Sequence, residues 1–377
     1  MIPAWKLRRE LTRLRGQILG IPRSLAALPK RLAEPGRRRA YDAAFPANLT
    51  LSHGDVAPGA KIAIVVLHQP HGIAASTFAT CEWLLHEGYA PLVVSSAPIS
   101  GTDRAALHRV AWQVAVRENF GHDFGSYRDG IRLIRDAGLS PDRLILLNDS
   151  IWCPLRADLM ARIEAINADL SGLLQDEKVA HDDAGGTPTD RLYLESYFFV
   201  ISGALWRSAA FQDFWTSYPM TDHKPDTIKR GEIGFSRSMQ AAGFRLCALT
   251  DRARFLAAIA HADAQTLHQA LRYAAYDDRG FADENADLLA CFGTDDGWKA
   301  QARDHMRRWV NRRRFNSGFP LATATIFGMY FLKKKQGEEI FVAARRSYLR
   351  AVQDGHIAAP DAVFLSEIKA SVPVPTA

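Results

Sequence analysis

The sequence predicts an α/β fold: a mostly parallel sheet with helices on both faces, followed by a helical C-terminal region. Three observations carry this reading. Short apolar, β-branched runs alternate with stretches of helical spacing from Lys61 onward, the pattern of βαβ units. Glycines and capping residues punctuate the alternation where helices should stop and start. From about residue 251 the pattern becomes helical throughout and carries no recognisable site chemistry.

In chain order, residues 62–67 (IAIVVL) are too short and too β-branched for a helix and read as the first strand. Phe78, Cys81 and Leu85 recur at helical spacing over 76–87, and Gly88 suits the end of that helix. Residues 91–95 read as a second strand, Thr102 as the cap of a helix to about Val110, and 114–116 as a third strand leading into a loop at Asn119. A fourth strand is expected at 144–147. Pro154 then signals a helix with Leu155, Leu159, Ile163 and Ile166 on one face. Residues 197–201 read as another buried strand and 244–249 as the last of the sheet. Residues 180–190 read either as an exposed active-site loop or as a plain connection. The apolar stretch 319–332 holds Pro320 and Gly328 and falls short of the roughly 20 residues that span a membrane, so it is expected in the core or at an interface. Three segments follow: a basic amphipathic segment at 1–40, the α/β domain at 55–250 and the helical region at 251–377.

Charge narrows the function. Residues 1–40 hold eleven Lys and Arg against two acids, a net +9, which leaves −3 on the remaining 337 residues of a chain whose total is +6. The body is therefore not a basic nucleic-acid surface, and the cluster Arg307, Arg308 and Arg312 to Arg314 lacks interleaved aromatics; it reads as a solvated or membrane-facing helix surface. In the basic segment Leu7, Leu11, Leu14 and Ile18 form an apolar stripe flanked by arginines. Such a helix either lies on an anionic membrane or packs on its own domain. No signal-peptide core is evident. Cys81, Cys153, Cys247 and Cys291 lie far apart with no C-x-x-C pair, which indicates neither a disulfide framework nor a zinc site and suits a reducing cytoplasm.

The chemistry is concentrated in 117–153. The loop Asn119-Phe120-Gly121-His122-Asp123-Phe124-Gly125-Ser126 opens a helix, with Ser126 and Asp129 fitting a capping box. Its glycines permit positive φ or a close ligand approach, and a helix N-terminus there favours a diphosphate. Asn148, Asp149 and Ser150 then close a strand at the sheet edge where open α/β folds bind ligands. Asp149 is placed to hold Mg²⁺ or Mn²⁺ bridging phosphate oxygens. The pairing points to a nucleotide-sugar site.

The same residues resemble the rhamnan synthesis protein F family of glycosyltransferases, whose signature N-x-G-x-D-x-G-S/A-Y/W-x-x-G is met by Asn119, Gly121, Asp123, Gly125, Ser126, Tyr127 and Gly130. Its L-L-x-N-D-S strand end is approached by Leu146, Leu147, Asn148, Asp149 and Ser150, which lack the spacer, and more distantly the two elements are similar to the loop and DxD elements of inverting GT-A enzymes. The resemblance spans about 62–250. It implies a GT-A-like, Rossmann-type domain that transfers a sugar, with rhamnosyl transfer the expectation, from a nucleotide-sugar donor to a growing, lipid-linked cell-surface polysaccharide. The enzyme would work in the cytoplasm, peripheral to the inner face of the plasma membrane. Donor contacts are expected from His68, Asn119, Gly121, Asp123, Ser126, Tyr127, Asn148 and Ser150, and the metal contact from Asp149. His68 is equally readable as a hydrogen-bonded structural residue. Glu232, in the segment Gly231 to Arg237, resembles the family's E-x-G-L-S element and is the expected catalytic base, with a helix-capping role as its plain alternative. Glu195 is the rival base. It departs from the family's H-x-Q-S-Y element, because Tyr193 and Glu195 replace its His and Gln, and a positioning role is favoured. No aspartate follows the strand Leu92 to Ser96, so the nucleobase stays open between thymidine and uridine. The competing function is a non-catalytic carbohydrate-binding or assembly component of a polysaccharide synthesis complex.

Overall fold

The structure is a computed structural model that describes residues 32–177, 192–293 and 297–373. The apolar stripe Leu7 to Ile18 and the loop 180–190 lie outside the described residues. A helix at 32–44 (α1) opens the described chain. There follow β1 (Thr50–His53), β2 (Lys61–Leu67), α2 (Ala75–His86), β3 (Ala90–Ser95), α3 (Gly101–Val110), β4 (Gln113–Val116), α4 (His122–Asp136), β5 (Arg143–Asn148) and the short β6 (Ile151–Trp152). Then come α5 (Leu159–Ile166), β7 (Leu170–Glu177), β8 (Leu192–Leu194), β9 (Phe198–Ser202), α6 (Gly203–Trp206), α7 (Ala209–Ser217), α8 (Lys224–Thr227), a π-helical turn (Ile228–Ile233), α9 (Gly234–Ala241) and β10 (Leu246–Asp251). The C-terminal region supplies α10 (Arg252–His261), α11 (Ala264–Arg272), α12 (Arg279–Ala290), α13 (Trp298–Val310), α14 (Phe315–Gly318), α15 (Pro320–Phe327), β11 (Leu332–Lys333), α16 (Glu339–Gln353) and α17 (Ala362–Ala370).

The α/β expectation holds. The main sheet runs β1-β4-β3-β2-β5-β9-β7-β10, with β8 beside β7. β4, β3, β2 and β5 are mutually parallel, and β9 runs antiparallel between β5 and β7. On β2, Ile62, Ile64 and Val66 enter one apolar cluster while Ala63, Val65 and Leu67 enter another, as the two-residue period of a strand buried on both faces requires. Each Ile, Val or Leu among them contributes about 1.5–3 kcal/mol on full burial. The first cluster takes in Ile131, Trp215 and Phe235 of α4, α7 and α9. The second joins Ala63 and Val65 to Phe255, Trp309, Phe315 and Ile340 of the C-terminal helices. The helical region is thus one cover of the sheet, packed into the same core.

Several expectations change in detail. Ser100, not Thr102, caps α3, by accepting the Asp103 amide. The helix after Pro154 begins only at Leu159. The boundary at residue 40 falls inside α1, which is docked: Tyr41 Oη donates to Asp129 at 2.6 Å, and Asp42 pairs with Arg128 at 2.6 Å and Arg132 at 3.1 Å. The stretch 319–332 is core, with Phe319, Leu321, Phe327, Tyr330 and Phe331 buried, and among the described residues no helix is long and apolar enough to cross a membrane. None of the four cysteines is in a disulfide.

Candidate functional site

The sheet has a switch point between β2 and β5, because the chain adds β3 and β4 on one side of β2 and then crosses to place β5 on the other. Strand carboxyl ends diverge at such a point and leave a crevice. Here the crevice opens into a cavity of about 1120 Å³. His68, which follows β2, and Asp149, which follows β5, are joined directly: the His68 amide donates to Asp149 Oδ2 at 2.8 Å. Gln69 Nε2 donates to the same oxygen at 3.1 Å, and His68 Nδ1 lies 3.0 Å from Ser96 Oγ beyond β3.

The loop before α4 is pinned rather than open. Gly121 caps the helix at φ +83°, and an added Cβ at Gly125 would sit 2.2 Å from the Phe120 carbonyl, so both glycines are required by the backbone itself. The Gly121 amide donates to Asp222 Oδ1 at 3.0 Å, which means that the positive end of α4 already faces a carboxylate of the protein. Asp222 is in turn held by α1, through its amide to Glu34 and its carboxylate to Arg37. The helix begins at His122, which corrects the capping box: Ser126 and Asp129 lie a turn or more inside α4, where Arg117 donates to Ser126 Oγ at 3.1 Å and to Asp129 Oδ2 at 2.7 Å. Tyr127 is fully buried and donates to the Ser196 carbonyl at 2.9 Å. Ser126 and Tyr127 therefore build the loop without facing the cavity.

Of the expected site residues, His68, Asn119, Asp123, Asn148, Ser150, Glu195 and Glu232 line the cavity. Asn148 is the knot between loop and strand: Nδ2 donates to Asp123 Oδ2 at 2.9 Å, and Oδ1 accepts Ser150 Oγ at 2.6 Å. Burial, reinforced by nearby Asp149, raises the Asp123 carboxyl above its ordinary range. Glu232 stands partly exposed on the π-helical turn, its Oε2 accepting both the amide and the hydroxyl of Ser196. Glu195 is buried and paired with Arg314; burial lifts its carboxyl to about 7, with Arg314 opposing and Glu232 adding to the rise.

The expected metal contact finds little support in this donor set. Asp149 does not line the cavity, one of its oxygens already accepts two N–H donors, and Ser150 is turned to Asn148. Among the described residues no three His, Cys, Asp or Glu side chains gather as a metal site. The residues present do not fit a cation held chiefly by the protein.

Sequence reasoning missed the opposite wall. Arg312, Arg313, Arg314, Lys333, Lys334 and Lys335, from the region expected to lack site chemistry, all line the cavity. Arg314 Nε reaches Asp176 Oδ2 at 2.9 Å, and Arg312 and Arg313 pair with Asp278 and Asp277 at 3.1 and 2.8 Å. The expected solvated or membrane-facing surface is thus divided: Arg307 and Arg308 pair with acids of their own region, while 312–314 face the cavity. Burial lowers Lys333 to about 8. The runs RRR and KKK were visible in the sequence, but their facing the strand ends was not.

Comparisons agree with the motif. Residues 92–272 match the family described as Rhamnan synthesis protein F. The chain is 30% identical over 275 residues to "Uncharacterized protein y4gN" of Sinorhizobium fredii (strain NBRC 101917 / NGR234), covering 72% of this chain and 68% of that one. Among solved structures it is similar to the galactosyltransferase LgtC in complex with donor and acceptor sugar analogs, with 11% identity over 50% of this chain and 72% of that chain at a TM-score of 0.32. It is also similar to the mannosyltransferase PcManGT from Pyrobaculum calidifontis in complex with GDP-Man and Mn²⁺, with 10% identity over 85% of this chain and 83% of that chain at a TM-score of 0.30.

Proposed function

The chain belongs to the rhamnan synthesis protein F family, and on that premise we propose that it is an inverting glycosyltransferase of polysaccharide synthesis that uses a nucleoside-diphosphate sugar. The observation that carries this reading is the placement of Glu232: a carboxylate oriented by Ser196 in the wall of a cavity that opens at the carboxyl ends of β2, β3 and β5. The nucleotide would enter beside His68 and Ser96, the sugar beside Asn148 and Asp123, and the acceptor from the side of Glu232. In the reaction the acceptor oxygen attacks the anomeric carbon as the bond to the diphosphate breaks. The hydroxyl proton passes to Glu232, the bonding electrons leave with the nucleoside diphosphate, and the configuration inverts.

Glu195 does not fit the base as well, because it is buried against Arg314 and would have to break that pair to reach an acceptor. Its placement supports the positioning role. Rhamnose as the transferred sugar, a lipid-linked acceptor and a station on the inner face of the plasma membrane belong to the same reading. The test is release of nucleoside diphosphate from dTDP-rhamnose and from UDP- and GDP-sugars, with the anomeric configuration of any product read by NMR. Release with inversion is expected from at least one donor. Binding of glycans without release from any donor would instead favour a non-catalytic assembly role.

A further inference from the structure

A departing nucleoside diphosphate is strongly anionic, and the site must meet that charge with cations or aimed donors. Two expected sources are compromised, since the N-terminus of α4 faces Asp222 and Asp149 is half engaged by His68 and Gln69. A third source lies on β11. That strand pairs antiparallel with β6, Leu332 against Trp152 and Lys333 against Ile151, and the Lys334 amide donates to the Ser150 carbonyl at 2.9 Å. The register therefore latches two lysines onto the residues that directly follow Asn148 and Asp149.

Both lysines line the cavity, and within it they reach different partners. Lys333 Nζ lies 3.8 Å over the Tyr197 ring and in the field of Glu195, Glu232 and Asp123. Lys334 Nζ donates to Ser76 Oγ at 2.8 Å at the start of α2 and feels Glu367 and Asp149. Among the described residues neither ammonium makes a direct ion pair, whereas the adjacent Lys335 pairs with Glu338. We propose that Lys333 and Lys334 form a two-sided cationic clamp for the diphosphate of the donor, a reading that rests on the transferase function proposed above. The clamp neutralises the leaving group from β11, with Lys334 on the nucleotide side and Lys333 on the side of the base. Burial holds both ammonium groups below their ordinary lysine range, as befits cations waiting for an anion.

The experiment is calorimetric titration of the full chain with UDP, dTDP, GDP and pyrophosphate, in EDTA and in Mn²⁺. The proteins compared are the wild type, Lys333→Met, Lys334→Met and Lys333→Arg. At least one nucleoside diphosphate should bind in EDTA, each Met substitution should weaken that binding about tenfold, and Lys333→Arg should hold it within about threefold. At pH 8, binding to the wild type should also take up protons as the anion recharges Lys333, an uptake that Lys333→Met reduces. Should Lys333→Met fail to fold, Lys334→Met and Lys333→Arg still decide. Binding that appears only with Mn²⁺, or that ignores both Met substitutions, overturns the clamp and leaves the transferase reading standing. If no diphosphate binds under any condition, the transferase reading falls and the clamp with it.

Discussion

The sheet half and the helical half of this molecule meet at one cavity with opposite charge. The sheet half presents Asp123, Glu195 and Glu232 against the single Lys224; the helical half presents Arg312 to Arg314 and Lys333 to Lys335 against Asp277, Glu338 and Glu339. The first set comes from motif segments at the start of α4, after β8 and on the π-helical turn, and Asp123 and Glu232 are held by hydrogen bonds within their own half, from Asn148 and Ser196. The second set reaches the site only because the C-terminal helices cover one face of the sheet and β11 pairs with β6. The recognisable half of the cavity is thus not the whole of it: most of its acids come from motif segments, and most of its cations come from a region that carries no motif.

The sharpest way to break the comparison is within the acidic floor. Glu232→Gln should lower kcat by about 10²-fold or more, in the range of general-base catalysis, while donor affinity is retained. Glu195→Gln should cost less, because that carboxylate serves Arg314 rather than the acceptor. Steady-state kinetics of both variants decide it, and a larger loss at Glu195 would exchange their roles.

The contact between the halves comes next. Arg314→Met leaves Glu195 buried without its guanidinium, so stability should fall by about 2 kcal/mol, less than the roughly 3–5 kcal/mol of a fully buried pair because Arg314 is one-third exposed. Adding Glu195→Gln should recover most of the loss. Urea unfolding of the two single variants and the double variant measures the coupling directly, and additive losses would show that the halves are not joined through this pair.

A smaller effect is expected at Gly231, just before Glu232. A Cβ there would meet the Phe124 ring at 2.7–2.9 Å, so Gly231→Ala must shift either the first turn of α4 or the turn that carries the base. About a tenfold loss of kcat with little change in melting temperature is the expected outcome. Unchanged kinetics would show that α4 and the base move independently.

The mildest effect concerns pH. Glu195 titrates higher in the folded chain, about 7, than the ordinary 4.5, so between those values the folded state holds more protons than the unfolded one. Its contribution is fully present below about 4.5 and is lost as pH rises through about 7. The melting temperature of Glu195→Gln relative to wild type should therefore rise across that window. A flat difference would mean that Arg314 keeps Glu195 ionised throughout.

The sequence by itself determined the parallel strands β2 to β5 and the strand-end motif, because β-branched runs and turn glycines act over a few residues. It also put Asn148 at the end of β5, whereas Glu232, expected ahead of a helix, lies on the π-helical turn that runs into α9. Some elements left no local signal: β7, interrupted by Gly172, and the two-residue β6 and β11, which exist only as each other's partners. The role of Ser126 was misread because Gly121, held by Asp222 from 101 residues away, sets the true start of α4. Only the tertiary structure decided that Lys333, Lys334 and Arg314 belong to the site. A lysine or arginine run has the same local pattern whether it faces solvent or a cavity, and its direction is fixed by the long-range packing of the C-terminal helices on the sheet and by the register of β11 on β6.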